Sequence, residues 1–194
     1  MPSANFCKTL LATLLACLFS ASLQASMPVI SSGNSEPSRL LQPGTPAPTC
    51  RLTDTSGSEQ TFPASGSWNI IFYWSLFCHS CLEEIPEAQN RIVALNQPDL
   101  KTWFVSLDTE KMQKALLNFC QKRDLKLPVL MERVASDTWV TADQWGVVST
   151  PAVFIVAPDG KVAYSHQGPS DLDEFFAGFA AMAASASAKL AGER

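Results

Sequence analysis

Apolar and polar positions fall into blocks of different period along this chain. Residues 9–19 are almost wholly apolar and follow one charge, Lys8; residues 27–42 are rich in Ser, Pro, Gly and Asn without any period. After the turn-rich Pro43-Gly44-Thr45-Pro46-Ala47-Pro48, short runs at 49–53 and 60–62 predict two strands around a turn at 54–58. Residues 68–75 form a nearly continuous apolar run, the mark of a central strand buried on both faces. Helical spacing follows over 79–95, with Pro86 inside it, and a second buried strand is predicted at 101–107. Met112, Leu116 and Phe119 predict a helix over 110–123 with charges on its other face. Residues 128–130 read as a short extended piece, and 136–145 as a short helix opened by a Ser136-Asp137 cap. A hairpin at 152–156 and 162–165 turns on Pro158-Asp159-Gly160, and a closing helix runs over 171–189 before Ala-Ser repeats fray. Strands alternating with helices, then a hairpin and a helix, predict an α/β sandwich.

Composition narrows the class of partner. Of 194 residues, 46% are hydrophobic and 16% charged, enough for a real core, and the net charge of −4 argues against nucleic acid or an anionic membrane surface. The N-terminal block reads as a secretory signal over 1–25, cut after Ala25, because its apolar stretch is shorter than the ~20 residues of a membrane span. Two rivals stand beside it: a lipid anchor on Cys17 in Leu14-Leu15-Ala16-Cys17, and an uncleaved N-terminal anchor. All three place the domain outside the cytoplasm, in a periplasmic or other extracytoplasmic space. The organisation is then a signal at 1–25, a tether at 26–42, one domain at 43–180 and a frayed tail at 181–194.

The chemistry gathers where the central strand ends. Phe77-Cys78-His79-Ser80-Cys81 puts a Cys-x-x-Cys pair at the start of the helix, where free backbone N–H groups and the macrodipole favour a thiolate. Cys78 is the expected half-exposed nucleophile, and Cys81 the resolving thiol behind it, close enough to close a disulfide. Zinc is disfavoured because no second pair follows; the other cysteines are Cys7, Cys17, Cys50 and Cys120, and the histidines are His79 and His166. A two-residue loop gains little from a purely structural disulfide. A copper(I) site on Cys78, Cys81 and His79 stays open as a reading of another class. Cys50 and Cys120 either pair or serve as small buried hydrophobes.

Taken with its neighbours, this pair resembles the exported TlpA/ResA-like thiol–disulfide oxidoreductases of the thioredoxin fold. The resemblance covers about residues 43–179 and rests on the opening motif at 43–48, Trp74-Ser75-Leu76-Phe77-Cys78, Glu84-Ile85-Pro86, Val105-Ser106-Leu107-Asp108, Leu127-Pro128-Val129-Leu130, and the loop from Trp145 to Phe154. It implies a thioredoxin-like fold, with a central mixed β-sheet flanked by helices and an N-terminal β-hairpin extension. Pro151 is then cis, with the Thr150 backbone facing the cysteines to pair with a substrate. Trp74 and Phe77 stand beside the pair, either as packing or as part of the substrate surface. Glu84 is either a proton acceptor or charge beneath the pair, or a solvated carboxylate like Glu83. His79 and Ser80 occupy the tuning dipeptide, where the family often has proline in place of Ser80. The buried acid of thioredoxin itself would fall at Phe72 and is missing. His166 has no expected part.

The resemblance further implies that the Cys78–Cys81 disulfide is the sole redox group, with no cofactor and no metal. Protein thiols and disulfides of the cell envelope are the implied substrates, and a membrane electron donor of the DsbD/CcdA type the implied reductant. Cytochrome c maturation and thiol maintenance are the implied duties. A disulfide-donating oxidase is the rival activity, and a peroxidase is disfavoured because Thr-x-x-Cys is absent at Cys78.

Overall fold

A computed structural model describes residues 40–192; the proposed signal at 1–25, Cys7, Cys17 and the tether as far as residue 39 lie outside the described residues. The elements run β1 (Cys50–Asp54), β2 (Glu59–Phe62), β3 (Trp68–Trp74), α1 (Cys81–Leu95), β4 (Leu100–Ser106), α2 (Gln113–Lys122), β5 (Val129–Met131), β6 (Val134–Ala135), β7 (Thr138–Trp139), α3 (Ala142–Trp145), β8 (Ala152–Val156), β9 (Val162–Gln167) and α4 (Leu172–Gly192). Seven strands form one mixed sheet in the order β2-β1-β5-β4-β3-β8-β9. The most apolar run, β3, takes the centre, parallel to β4 and antiparallel to β8.

Both faces of β3 are covered, so its sequence shows no polar alternation. Ile71 and Tyr73 point into a core with Trp103, Trp145 and Phe154. Ile70, Phe72 and Trp74 point to the other face, against α1, α2 and α4 through Ile85, Leu116 and Phe175. Successive parallel steps from β3 to β4 to β5 move in one direction across the sheet. Right-handed crossovers therefore lay α1 and α2 on the same face.

Four expectations are corrected. The chain packs before residue 43: Leu40 is buried, and the Leu41 N–H donates to the Trp145 carbonyl at 3.1 Å, so two apolar residues end the tether early. Ser136 and Asp137 do not cap a helix. They turn the β6–β7 hairpin with φ of 50° and 63°, the left-handed geometry of a type I′ turn, which short polar side chains tolerate. Helix α3 starts only at Ala142, where the buried Glu132 carboxylate accepts the amides of Thr141 (3.0 Å) and Ala142 (2.8 Å). The helix expected at 110–123 opens as a 3-10 turn, Glu110–Met112, without a side-chain cap, before α2 proper. Finally, α4 continues as helix through Gly192 where fraying was expected from 181. Alanine, the best helix former, carries the helix onward, and the Ser185 and Ser187 hydroxyls are accommodated within it by donating to the carbonyls of Ala181 (2.9 Å) and Ala183 (3.0 Å).

Candidate active site

Strand β3 stops at Trp74, and a loop over 75–80 delivers the chain to α1. Cys78 lies in that loop, half-buried, and Cys81 is the first residue of the helix, fully buried. They are joined as a disulfide with Cα atoms 5.2 Å apart. The Cys81 N–H, one of the donors a helix start leaves free, points at Cys78 Sγ at 3.3 Å. Ser80 is the N-cap residue, yet its hydroxyl does not cap the helix; it sits 3.5 Å from Cys78 Sγ. When the pair is reduced, an amide and a hydroxyl thus converge on the outer sulfur. That sulfur is the one able to carry negative charge.

The two aromatic residues before Cys78 part company. Trp74 is fully buried and stacks on Phe119 with ring centroids 5.4 Å apart, so it is packing, and its expected share in a substrate surface is corrected. Strand geometry causes this: Trp74 is the last residue of β3 and points under α1 and α2. Phe77, three residues on in the loop, is 80% exposed. Val148 is 63% exposed in the loop leading to Pro151.

Both loops lie at one end of the sheet. Antiparallel pairing of Tyr73 with Ala152 puts the end of β3 beside the start of β8, so residue 151 stands next to the loop that carries Cys78. The Thr150–Pro151 bond is cis. A second cis bond, Phe62–Pro63, went unforeseen. Gln167, at the end of β9, holds the Pro151 loop: its Oε1 accepts the amides of Val148 (2.9 Å) and Ser149 (3.2 Å). The Gly168 N–H binds the Pro151 carbonyl at 2.8 Å. Among the described residues the Thr150 backbone N–H and C=O take part in no hydrogen bond.

Asp108 braces the other loop. Its buried carboxylate accepts the Ser75 hydroxyl (2.9 Å), the Leu76 N–H (3.0 and 3.2 Å to its two oxygens) and the Ser106 hydroxyl (2.7 Å). In the sequence Asp108 stands out only as the last residue of the Val105-Ser106-Leu107-Asp108 motif. An acid two residues past the end of a buried apolar strand is the signal the sequence offers.

Glu84 is buried one turn along α1 from Cys81, on the same helix face. Burial pushes its carboxyl up, Ser170 and His166 pull it back in part, and Glu87 adds to the rise. Ser170 acts without reaching hydrogen-bonding geometry, and both Glu84 Oε1 and Ser170 Oγ are buried without a partner among the described residues. The solvated reading of Glu84 is therefore wrong, whereas its neighbour Glu83 is exposed. His79 is exposed as well. His166, expected to stand apart, faces the Glu84 side of the molecule: it pairs in register with Val153, whose side chain packs under α1 and α4.

Cys50 and Cys120 do not pair. Cys50 is buried and takes the Trp145 indole N–H at 3.3 Å, and burial raises its thiol; Cys120 is half-buried, and burial pushes it to about 11. Among the described residues no group of three His, Cys, Asp or Glu side chains converges as a metal site would require. No helix of the described residues is long and apolar enough to cross a membrane.

Comparison with known proteins agrees with this geometry. The chain matches the AhpC/TSA family over residues 43–165. It is 25% identical over 126 residues to the thiol-disulfide oxidoreductase ResA of Bacillus thuringiensis subsp. konkukian, covering 64% of this chain and 69% of that protein. It is 22% identical over 134 residues to the sporulation thiol-disulfide oxidoreductase A of Bacillus subtilis, covering 69% and 78%. Among solved structures it resembles StoA from Bacillus subtilis, with a TM-score of 0.56 and 21% identity over 69% of this chain and 96% of that one. It also resembles a protein described as a putative thiol:disulfide interchange protein DsbE from Chlorobium tepidum, with a TM-score of 0.61 and 22% identity over 74% and 98%. A match running through most of the described residues makes the chain a member of the AhpC/TSA family, among its ResA-like thiol–disulfide oxidoreductases of thioredoxin fold.

Proposed function

We propose that this protein reduces disulfides of envelope proteins outside the cytoplasm. The observation that carries the reading is the asymmetry of the pair: Cys78 is half-exposed with the Cys81 amide aimed at its sulfur, and Cys81 is fully buried. The Cys78 thiolate attacks a partner disulfide; that S–S bond breaks, one partner sulfur leaves as thiolate, and a mixed disulfide forms on Cys78. Cys81 then gives up its proton and attacks Cys78 Sγ, expelling the second partner sulfur and closing the Cys78–Cys81 bond. Two electrons pass to the partner, and a dithiol donor returns them.

Docking uses the Pro151 loop. The unpaired Thr150 backbone accepts an extended substrate segment strand-to-strand, with Phe77 and Val148 as exposed apolar side chains of the two loops that segment would meet. The N-terminal segment, read as a signal, supports an exported protein, soluble or anchored through Cys17 or an uncleaved segment. Cytochrome c maturation or thiol maintenance, served by a membrane donor of the DsbD/CcdA type, fits such a place.

The direction of electron flow follows from a contest. The Cys81 amide and the Ser80 hydroxyl stabilise a Cys78 thiolate, which makes an oxidant; an ionised Glu84 beneath Cys81 disfavours thiolate and makes a reductant. Glu84 lies in a poorly hydrated place where its charge is weakly screened. A potential nearer ~−270 mV than ~−120 mV is expected. Equilibration with dithiothreitol or glutathione, read by thiol trapping, measures it. A potential above about −180 mV replaces the reductase with the disulfide-donating oxidase.

A further inference from the structure

The buried resolving thiol poses a proton problem. Cys81 is fully buried and must lose a proton to attack Cys78 and regain one when the pair is reduced again. Glu84, three residues on, is the nearest acid on its helix face, and it is buried too. A proton on Glu84 still has to reach solvent.

A cleft of about 350 Å³ runs from Ser80 and Glu84 along α1 to Ser170, in the turn between β9 and α4. Two of its lining side chains, Glu84 and Ser170, each carry a buried oxygen with no partner among the described residues. Buried polar atoms are nearly always satisfied by protein or ordered water, so two orphans lining one polar cleft are groups that water in the cleft would satisfy. The same turn, Pro169-Ser170-Asp171, also lines the adjoining cleft that holds His166 and Glu174. His166 Nε2 lies 3.3 Å from the Pro169 carbonyl, so the imidazole is tied to the turn that carries Ser170.

We propose that the Ser170 hydroxyl and the cleft it lines carry the Cys81 proton between Glu84 and solvent, with the His166 imidazole facing that path. The inference rests on Cys81 being the resolving thiol. In the resolving step the Cys81 S–H bond breaks and its proton passes to the Glu84 carboxylate. The freed electron pair attacks Cys78 Sγ, the partner sulfur leaves as thiolate, and Glu84 hands the proton through Ser170 to water.

The charged groups around Glu84 fit this reading. On its own helix stand Glu83, Glu87 and Arg91, and across the cleft Asp171 and Asp173 at the start of α4. Glu174 and His166 line the neighbouring cleft. The Arg91 guanidinium is taken up by Glu87 at 2.7 Å and by Asp173. Burial holds the Glu84 carboxyl above the usual carboxylate range, while Ser170 and His166 favour its charged form.

The test isolates the resolving step. The full exported chain is reduced, and Cys78 is converted to its mixed disulfide with 5-thio-2-nitrobenzoate. Release of the coloured thiolate by Cys81 is then followed from pH 4 to 9. Glu84→Gln is expected to slow release about tenfold or more near neutral pH and to remove one inflection from the profile. Ser170→Ala and His166→Gln are expected to move that inflection to higher pH, and Ser170→Thr to restore it. On the Glu84→Gln background neither change is expected to add an effect. Ser170→Ala and His166→Gln profiles that superimpose on the parent, or effects that persist without Glu84, overturn the path. No release from the parent protein instead overturns Cys81 as the resolving thiol, so the two failures are distinct.

Discussion

Asp108→Ala is expected to damage both the fold and the reactivity of a cysteine thirty residues away in sequence. The carboxylate accepts the Leu76 N–H and the hydroxyls of Ser75 and Ser106 at 2.7 to 3.2 Å. Hydrogen bonds to a charged group contribute ~1.5–3 kcal/mol each. Full addition of three overstates the loss, because Ser75 and Leu76 are only half-buried and water can replace their partner. Ser106 is fully buried and is left without its acceptor. A cost of about 3–4 kcal/mol is expected, a large share of the ~5–15 kcal/mol that holds a domain together. Asp108→Asn keeps the shape and one acceptor oxygen, and about 1 kcal/mol is expected. Guanidinium unfolding of the oxidised protein measures both.

The second half of the expectation concerns Cys78, two residues beyond Leu76. A loosened loop misaligns Cys78 Sγ from the Cys81 amide at 3.3 Å. Losing about 1.4 kcal/mol of thiolate stabilisation slows iodoacetamide alkylation of reduced Cys78 at pH 7 about tenfold. A stability loss under about 1 kcal/mol in Asp108→Ala would refute the brace. A loss of the expected size with unchanged alkylation kinetics would confine Asp108 to the fold and refute its link to the thiol.

Gln167→Ala frees the Val148 and Ser149 amides and is expected to raise KM for a protein disulfide several-fold, about 1 kcal/mol, at unchanged redox potential. Steady-state kinetics with a disulfide-bonded protein, beside the potential, checks this; an altered potential with unchanged KM defeats it. Cys120, pushed to about 11 by burial, is expected to stay unlabelled by iodoacetamide at pH 7 while reduced Cys78 reacts. Peptide mapping by mass spectrometry decides, and labelling of Cys120 as fast as Cys78 contradicts the burial argument.

Local pattern sufficed for much of this protein. The apolar run of β3, the cysteine pair at its exit and the helical spacing behind it are set within about thirty consecutive residues. Strand and helix periods, and the free donors of a helix start, are local properties. They put Cys78 outside and Cys81 inside before any tertiary contact is considered. The hairpin of β8 and β9 was legible for the same reason, since Pro158-Asp159-Gly160 is a turn in its own right.

Tertiary structure decided what depends on partners distant in sequence. Asp108 meets Leu76 across 32 residues, and Gln167 meets Val148 across 19, so no window around either residue reveals its work. Ser136-Asp137 suits a helix cap and a type I′ turn equally well in isolation. Glu132, by taking the amides of Thr141 and Ala142, moves the helix start onward and leaves the pair to the turn. Trp74 and Phe77 are both aromatic residues ahead of a cysteine. The end of β3 falls between them, burying one beneath α1 and α2 and leaving the other in solvent. Glu84 and His166 sit on α1 and β9, and only the packing of the β9–α4 turn against α1 brings them to adjoining clefts. Burial sets the energy of a charge, and burial is a property of the whole fold rather than of any segment.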